Sequence, residues 1–347
     1  MGHLLASETS YFVRKRCMRT AFVTGGAGYL GSHLAKALKQ AGYYTFCFDL
    51  KLPENRKYWD NQTIGDVRVE HDLYDSFEYL QRVHNKKPDV VFHLAGLIEV
   101  GLSVENPIDF WQTNVGGTCN LLSIMKEFHV NNIVYSSTAG LYRPQFTSLS
   151  EKAEIGDNNP YANSKYAAEC AIRDSKLNYV IFRFFNLAGA DPDGEMGECH
   201  EPETHLIPRM FESLNNNDFF IYGNDYNTTD GTCIRDYVHV SDVAAAHILA
   251  DEYMQTPYSN QPRTFNLGTG KGHSVLQVIQ TAVTELNIPI LYLFRERRVG
   301  DPSRLVANCD AAKRYLNFKP KHNLKSILRT AYIWYGKYRE QRNRNSV

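Results

Sequence analysis

Short apolar runs alternate with helical patterning along the first half of the chain. "TAFVT" (20–24), "YTFCF" (44–48), "DVVFHLA" (89–95), "NIVYSS" (132–137) and "YVIFRFF" (179–185) have the length and composition of buried strands. Between them lie amphipathic stretches such as "GSHLAKALKQAG" and "TCNLLSIMKEFHV". Strands that read apolar throughout are covered on both faces, and alternation with helices predicts a parallel sheet in an α/β fold. After Asn186 the pattern becomes irregular, with "GADPDGEMGECHEPETH" as one long polar stretch. A smaller second α/β domain is expected from there. "DYVHVSDVAAAHILADEY" (236–253) reads as a strand and helix that turn back to the first domain. The expected division is therefore an extension over 1–19, a first domain over 20–186 with 236–268 packed on it, and a second domain over 187–347.

At about 150 residues per domain, a 347-residue chain holds two. Lys plus Arg (38) equals Asp plus Glu (38). That balance argues against a nucleic-acid binder, which carries a basic excess. No apolar run approaches the ~18 residues of a membrane span, and "MGHLLASETSYFVRKRCMR" lacks the apolar core and cleavage site of a signal peptide. Seven cysteines (Cys17, Cys47, Cys119, Cys170, Cys199, Cys233, Cys309) form no C-x-x-C pair and are odd in number. Reduced thiols in a cytoplasmic protein are expected. The stretch "GECHEPETH" gathers Cys199, His200, Glu201, Glu203 and His205. No recognised ligand spacing is present, so no metal is expected.

The strand "TAFVT" runs into Gly25-Gly26-Ala27-Gly28-Tyr29-Leu30-Gly31, and a helix follows. Strand, glycine loop and helix together are the context of a dinucleotide fingerprint. The glycines permit a tight turn and let a pyrophosphate approach the free N–H groups of the helix N-terminus. Asp49 closes the second strand, eighteen positions after Gly31. A carboxylate there accepts from adenosine ribose hydroxyls and repels a 2′-phosphate, which predicts NAD over NADP and a Rossmann-type doubly wound sheet.

Tyr161 and Lys165 stand four apart, just after Pro160. Proline is favoured at the first helical position, and residues at this spacing share a helix face. Short motifs of this kind are common by chance, but beside a dinucleotide site the pair acquires a chemistry. A free phenol titrates near pH 10; an ammonium and a nicotinamide cation nearby favour the phenolate, and reaching neutrality takes roughly 4 kcal/mol. Such a phenolate can take a proton from a sugar hydroxyl while hydride leaves the same carbon.

The glycine loop, Ser136-Ser137-Thr138 after a strand, and Tyr-x-x-x-Lys resemble the extended short-chain dehydrogenase/reductases. "RFFNLAGADPDGEMGE", "ETHLIP", "YGNDYNTTDGTCIRDYVHVSD" and "RRVGDPSRLVA" further resemble the UDP-glucose (UDP-galactose) 4-epimerases, a likeness running from Thr20 to Tyr338. The resemblance implies Tyr161 as base, Lys165 as its tuner and ribose anchor, and Thr138 as a hydrogen-bond partner of the reacting hydroxyl. It implies adenine contacts from Asp72 and Leu73, preferred here over Asp66-Val67, and places Ala95, Gly96 and Asn114 near the cofactor. Asn186, His205, Leu206, Tyr222, Arg235, Arg298 and Asp301 would hold the UDP-sugar, and Leu305 would border the sugar pocket. Arginine suits a diphosphate because its forked donors match the oxygens. A homodimer through "NPIDFWQTNVGGTCNLLSIMKEF" is also implied.

Where relatives carry Lys and Glu, the stretch "LAGLIEVGLS" has Ile98, Glu99 and Leu102, and Arg143 replaces a usual glycine. Competing activities are 4-epimerisation of UDP-xylose or UDP-glucuronate, 4,6-dehydration, and NAD sensing without chemistry. Dehydratases carry an Asp-Glu pair after the threonine; this chain has Ala139-Gly140.

Overall fold

The computed structural model describes residues 18–345 except 157, 201, 216–217, 257–260 and 299. All of the expected extension but its last two residues lies outside the described part, as do Cys17 and Glu201. In chain order the first elements are β1 (Thr20–Thr24), α1 (Tyr29–Gln40), β2 (Tyr44–Asp49), β3 (Asn61–Ile64), α2 (Glu70–His84), β4 (Val90–His93), α3 (Val100–Glu105) and α4 (Pro107–Phe110). A π-helical turn, Trp111–Gly116, leads into α5 (Gly117–Glu127); β5 (Asn132–Thr138), α6 (Pro160–Asp174), β6 (Asn178–Phe184) and β7 (Asn186–Ala188) follow. The remainder holds α7 (Leu206–Glu212), β8 (Phe220–Tyr222), β9 (Ile234–His239), α8 (Val240–Met254), β10 (Thr264–Leu267) and β11 (Gly272–Ser274). It closes with α9 (Val275–Leu286), β12 (Leu293–Arg295), β13 (Arg304–Leu305), α10 (Asp310–Leu316) and α11 (Leu324–Asn345).

Seven strands form one sheet in the order β10-β6-β5-β4-β1-β2-β3. Every pairing in it is parallel. Side-chain alternation sorts each strand between two cores. Ala21 and Val23 join Leu30, Leu34 and Leu38 of α1 and Val243 and Ala246 of α8 on one face. Phe22 joins Leu73 and Phe77 of α2, Leu121 and Met125 of α5, and Ala168 and Ile172 of α6 on the other. The strand order reverses at β1: the chain steps outward to β2 and β3, then restarts at β4 on the opposite side. Such a switch point opens a crevice at the carboxyl ends of the central strands.

β7 pairs with β9, which also carries β11 and β13, in a second, smaller sheet. α7, α9 and α11 pack over a third core that includes Ile207, Phe211, Val278, Ile279 and Ile327. The segment 236–268 is split by this arrangement. β9 stays in the small sheet, while α8 covers α1 and β10 becomes the seventh strand of the large one.

One buried network ties α6 to the sheet. Glu169 of α6 is fully buried and accepts from Arg183 of β6 (2.9 and 2.6 Å), Ser137 of β5 (2.5 Å) and Arg173 (2.5 Å). Although burial works against ionisation, Arg183 and Ser137 hold the Glu169 carboxyl below its usual range. Removing one partner of such a pair leaves an uncompensated buried charge. Glu169→Ala should therefore lose about 3–5 kcal/mol in equilibrium urea unfolding. Glu169→Met combined with Arg183→Met should recover most of that loss.

Candidate active site

The glycine loop turns as its spacing requires. Gly25 has φ +72°, and a Cβ there would lie 2.6 Å from the backbone nitrogen of Ala95. A Cβ on Gly31 would lie 2.2 Å from the Gly25 carbonyl oxygen, so glycine lets α1 sit directly on the loop. Leu30 is buried in the core and the Tyr29 hydroxyl donates to the Gly189 carbonyl at 2.5 Å. Backbone N–H groups, not these side chains, are what this helix start offers a pyrophosphate.

Asp49 ends β2 beside the loop, and its carboxylate accepts from the Ala27 N–H at 2.9 Å. Burial pushes its carboxyl above the ordinary value, against hydrogen bonds from the backbone of Ala27 and Lys51. One oxygen thus braces the loop, and the other faces the Lys51 N–H at 3.4 Å.

The expected adenine contact at Asp72-Leu73 needs correcting. Leu73 is fully buried against the sheet among Phe22, Phe46, Phe48 and Phe77. The Asp72 carboxylate caps the Asp66 N–H at 2.9 Å. Asp66-Val67 follows β3 directly, and the intervening Gly65 N–H binds the Asp49 carbonyl at 2.9 Å. The carboxyl edge of the sheet is therefore lined by 65–67, with Asp72 in support.

Beyond β4, Gly96 is wedged between Asn114 and Lys165: a Cβ there would lie 2.7 Å from Asn114 Oδ1 and 3.7 Å from Lys165 Nζ. Asn114 lies in the π-helical turn, a departure from α geometry frequent at functional sites. Its amide accepts from Leu97 N–H (2.9 Å) and donates to Leu97 carbonyl (3.1 Å) and Ser164 Oγ (3.0 Å). These bonds commit it to joining the Ala95-Gly96 loop to α6.

His93, at the end of β4, is a residue the sequence reading passed over. It is fully buried, with Nδ1 2.7 Å from Thr24 Oγ1 and Nε2 2.9 Å from Thr118 Oγ1. Burial, with Lys165 nearby, lowers it to about 3, so it is a neutral bridge from β1 to α5. Only its place at a strand end, inside "HLAG", could have marked it.

α6 begins as expected, with Pro160 at its first position and Asn159 Oδ1 accepting from the Ala162 N–H at 2.9 Å. Its first two turns carry Tyr161 and Lys165. Tyr161 lies beside Thr138, which ends β5. Lys165 Nζ lies 4.5 Å from the centre of the Tyr135 ring. The electrostatics differ from the charge-pair expectation. Burial raises the Tyr161 phenol, opposed by the Thr138 hydrogen bond, and burial lowers Lys165 to about 7, opposed by Glu169. In the chain alone, desolvation dominates both groups and penalises the charged form of each.

The expected substrate residues lie on the smaller sheet and its surroundings. Asn186 opens β7, and Leu305 of β13 pairs with Arg235 of β9. Leu305 packs against a cluster holding Ala139, Leu141 and Ala162, which puts it next to the Thr138 and Tyr161 segments. Arg235 donates to the carboxylate of Asp301, and Arg298 stands 4.3 Å over the Tyr222 ring. Four of the expected ligands thus form two pairs, and a ligand would have to enter or exchange those contacts. His205 caps α7 and Leu206 begins it. Arg143 pairs with Glu154 at 3.1 Å on the surface.

A Rossmann-type sheet with Thr138, Tyr161 and Lys165 at its carboxyl edge defines a dinucleotide-dependent enzyme acting on an alcohol. Residues 21–268 match the NAD dependent epimerase/dehydratase family, and the chain belongs to it. The UDP-glucose 4-epimerase of Rhizobium leguminosarum bv. trifolii is 38% identical over 327 residues, covering 92% of this chain and 98% of the relative. The crystal structure of UDP-glucose 4-epimerase from Brucella ovis in complex with NAD superposes with TM-score 0.84 at 37% identity, covering 92% and 98% of the two chains. The Bifidobacterium longum enzyme in complex with NAD+ and UDP gives 0.83 at 31%, with the same coverage.

The lowered Lys165 value has a testable consequence. The unfolded chain protonates this lysine below 10.5 and the folded, cofactor-free chain only below about 7. Stability therefore rises with pH between those values, by on the order of 5 kcal/mol. Lys165→Met removes that slope. In urea unfolding of cofactor-free protein, the stability of the variant relative to wild type should be greatest near pH 6 and smallest near pH 10.

Proposed function

We propose that this chain is an NAD-dependent UDP-glucose 4-epimerase that interconverts UDP-galactose and UDP-glucose. The observation that carries the reading is the meeting of Thr138 with Tyr161, with Lys165 one turn along the same helix face. Ala139 and Gly140 follow Thr138 in a short 3₁₀ turn and supply no acid or base for eliminating water. That favours epimerisation over dehydration.

When bound, NAD supplies a reversible hydride acceptor for C4 of the sugar. Gly25, Gly28 and Gly31 leave room for its pyrophosphate at the start of α1, and Asp49 with 65–67 faces its adenosine end. Tyr161 takes the proton of the C4 hydroxyl, with Thr138 hydrogen-bonded to the same oxygen. Lys165 holds the nicotinamide ribose and, charged there, favours the phenolate. The 4-keto sugar turns over about its diphosphate linkage while Asn186, Tyr222, Arg235, Arg298 and Asp301 retain the UDP. Tyr161 then returns its proton to the C4 oxygen, while the hydride that bound NAD would hold is delivered to the opposite face of C4. A cycle that restores the cofactor has no need to release it.

A homodimer is part of this reading. Ile108 (64% exposed) and Trp111 (41%) are exposed apolar side chains on the segment expected to pair, and Val104 (66%) stands just before it. A cytoplasmic location is also proposed, because Cys47, Cys119, Cys170, Cys199, Cys233 and Cys309 are all free thiols. Among the described residues, no helix is long and apolar enough to cross a membrane.

Purified protein should convert UDP-galactose with no added cofactor; a protein that neither retains nor binds NAD contradicts the mechanism. Tyr161→Phe should lower kcat by ~10²–10⁴-fold while UDP binding, read by calorimetry, stays near wild type. Leu305 is expected to leave space for a C2 N-acetyl group, so UDP-N-acetylglucosamine should be turned over too. Leu305→Tyr should reduce kcat/KM for that sugar selectively, by roughly 10–100-fold for a contact worth ~1–3 kcal/mol. An equal effect on both sugars removes this gate.

A further inference from the structure

Lys165 is buried without a counter-charge of its own. It is 4% exposed, and among the described residues no hydrogen bond or ion pair reaches its Nζ. The groups around it are neutral or already neutralised. Glu169, one turn along α6, is bound by Arg183, Arg173 and Ser137. His93 has both ring nitrogens in hydrogen bonds to Thr24 and Thr118 and carries no charge at neutral pH. Asn114 is an uncharged amide committed to Leu97 and Ser164. Tyr161 stands one turn before Lys165, beside Thr138.

What the ammonium does have is an aromatic face. Nζ lies over the Tyr135 ring, 4.5 Å from its centre. Tyr135 is 1% exposed, packed in the core beneath α5 and α6. It lies across from His93 in the neighbouring strand, with ring centres 5.4 Å apart. Its hydroxyl is buried and bonds to nothing among the described residues. The ring, and not the hydroxyl, is therefore what this side chain offers the site. A cation over a ring is attracted by the ring quadrupole, most strongly where water is excluded.

We propose that Tyr135 is a positioning residue for the reaction, its ring face holding Lys165 as an ammonium beside Tyr161 where a carboxylate would work against the base. The proposal rests on the reading of Tyr161 as that base. A carboxylate under Lys165 would bind it more tightly, but it would occupy the N–H donors, and its charge would oppose a phenolate on Tyr161. A ring stabilises the cation without adding charge. It engages the ammonium from one side only, which leaves donors for ribose hydroxyls.

The test is a double-mutant cycle between Tyr135→Leu and Lys165→Met, in urea unfolding of the cofactor-free full-length protein. Near pH 6 folded wild type carries the ammonium, and the two sites should couple by about tenfold in the unfolding equilibrium constant. At pH 10 the buried amine is neutral, and the coupling should fall close to nothing. The cavity left by leucine is present at both pH values and cancels in the cycle. Tyr135→Phe keeps the ring and should couple little at either pH. If Tyr135→Leu does not fold, Tyr135→Met takes its place. In turnover of UDP-galactose, Tyr135→Leu should lower kcat with KM near wild type, and Tyr135→Phe should restore kcat. The unfolding cycle needs no substrate, so wild type without turnover would sink the epimerase reading while the cycle still decides the role of Tyr135. Equal coupling at pH 6 and pH 10 overturns the proposal. So does coupling as large for Tyr135→Phe as for Tyr135→Leu, or a Tyr135→Leu enzyme with wild-type kcat.

Discussion

A phenol and an ammonium buried together, four residues apart on α6, set the terms for the rest of this structure. Burial penalises the charged form of each: it raises Tyr161 and brings Lys165 to about 7. A buried ammonium needs company, and the cofactor-free chain offers a remote carboxylate, Glu169, and the face of the Tyr135 ring. The site is therefore held short of its working charge state. Under the proposed function, bound NAD would bring a cation to Tyr161 and ribose hydroxyls to Lys165 and so supply what is missing. Base activation would then be coupled to cofactor occupancy.

The scaffold keeps that incomplete site rigid. Glu169 locks α6 to β5 and β6 through Ser137 and Arg183. Asn114 ties the Ala95-Gly96 loop to α6, and His93 ties β1 to α5 through Thr24 and Thr118. Each satisfies buried polar atoms completely, as a low-dielectric interior demands. The substrate side is organised differently. Arg235 with Asp301 and Arg298 with Tyr222 are paired to each other, so ligand binding trades contacts there instead of filling a preset cradle.

Much of this was legible in the residues. The buried strands announced themselves because a sheet covered on both faces leaves no exposed positions in "TAFVT" or "VVFH". β3 escaped because "NQTI" is a polar edge strand, half-exposed throughout. The expected adenine contact was placed at Asp72-Leu73 by its distance from "HLAG", whereas the stretch lining the sheet's carboxyl edge follows β3. The glycine loop, Tyr161 and Lys165 were readable because their spacing is local. The ion pairs of His200 and His205 with Glu198 and Glu203 went unread, because the loop that sets them is pinned from α1 and α11 and no local pattern records that.

The central claim is that Tyr161 becomes a base only when the cofactor is in place. Tyrosinate absorbs to the red of tyrosine, so Tyr161 can be titrated as the difference between wild type and Tyr161→Phe. Measured with NAD bound and after its removal, the account predicts a phenolate that forms near neutral pH in the loaded protein and only above the ordinary phenol value of about 10 in the stripped one. Coincident titrations in the two states would contradict it.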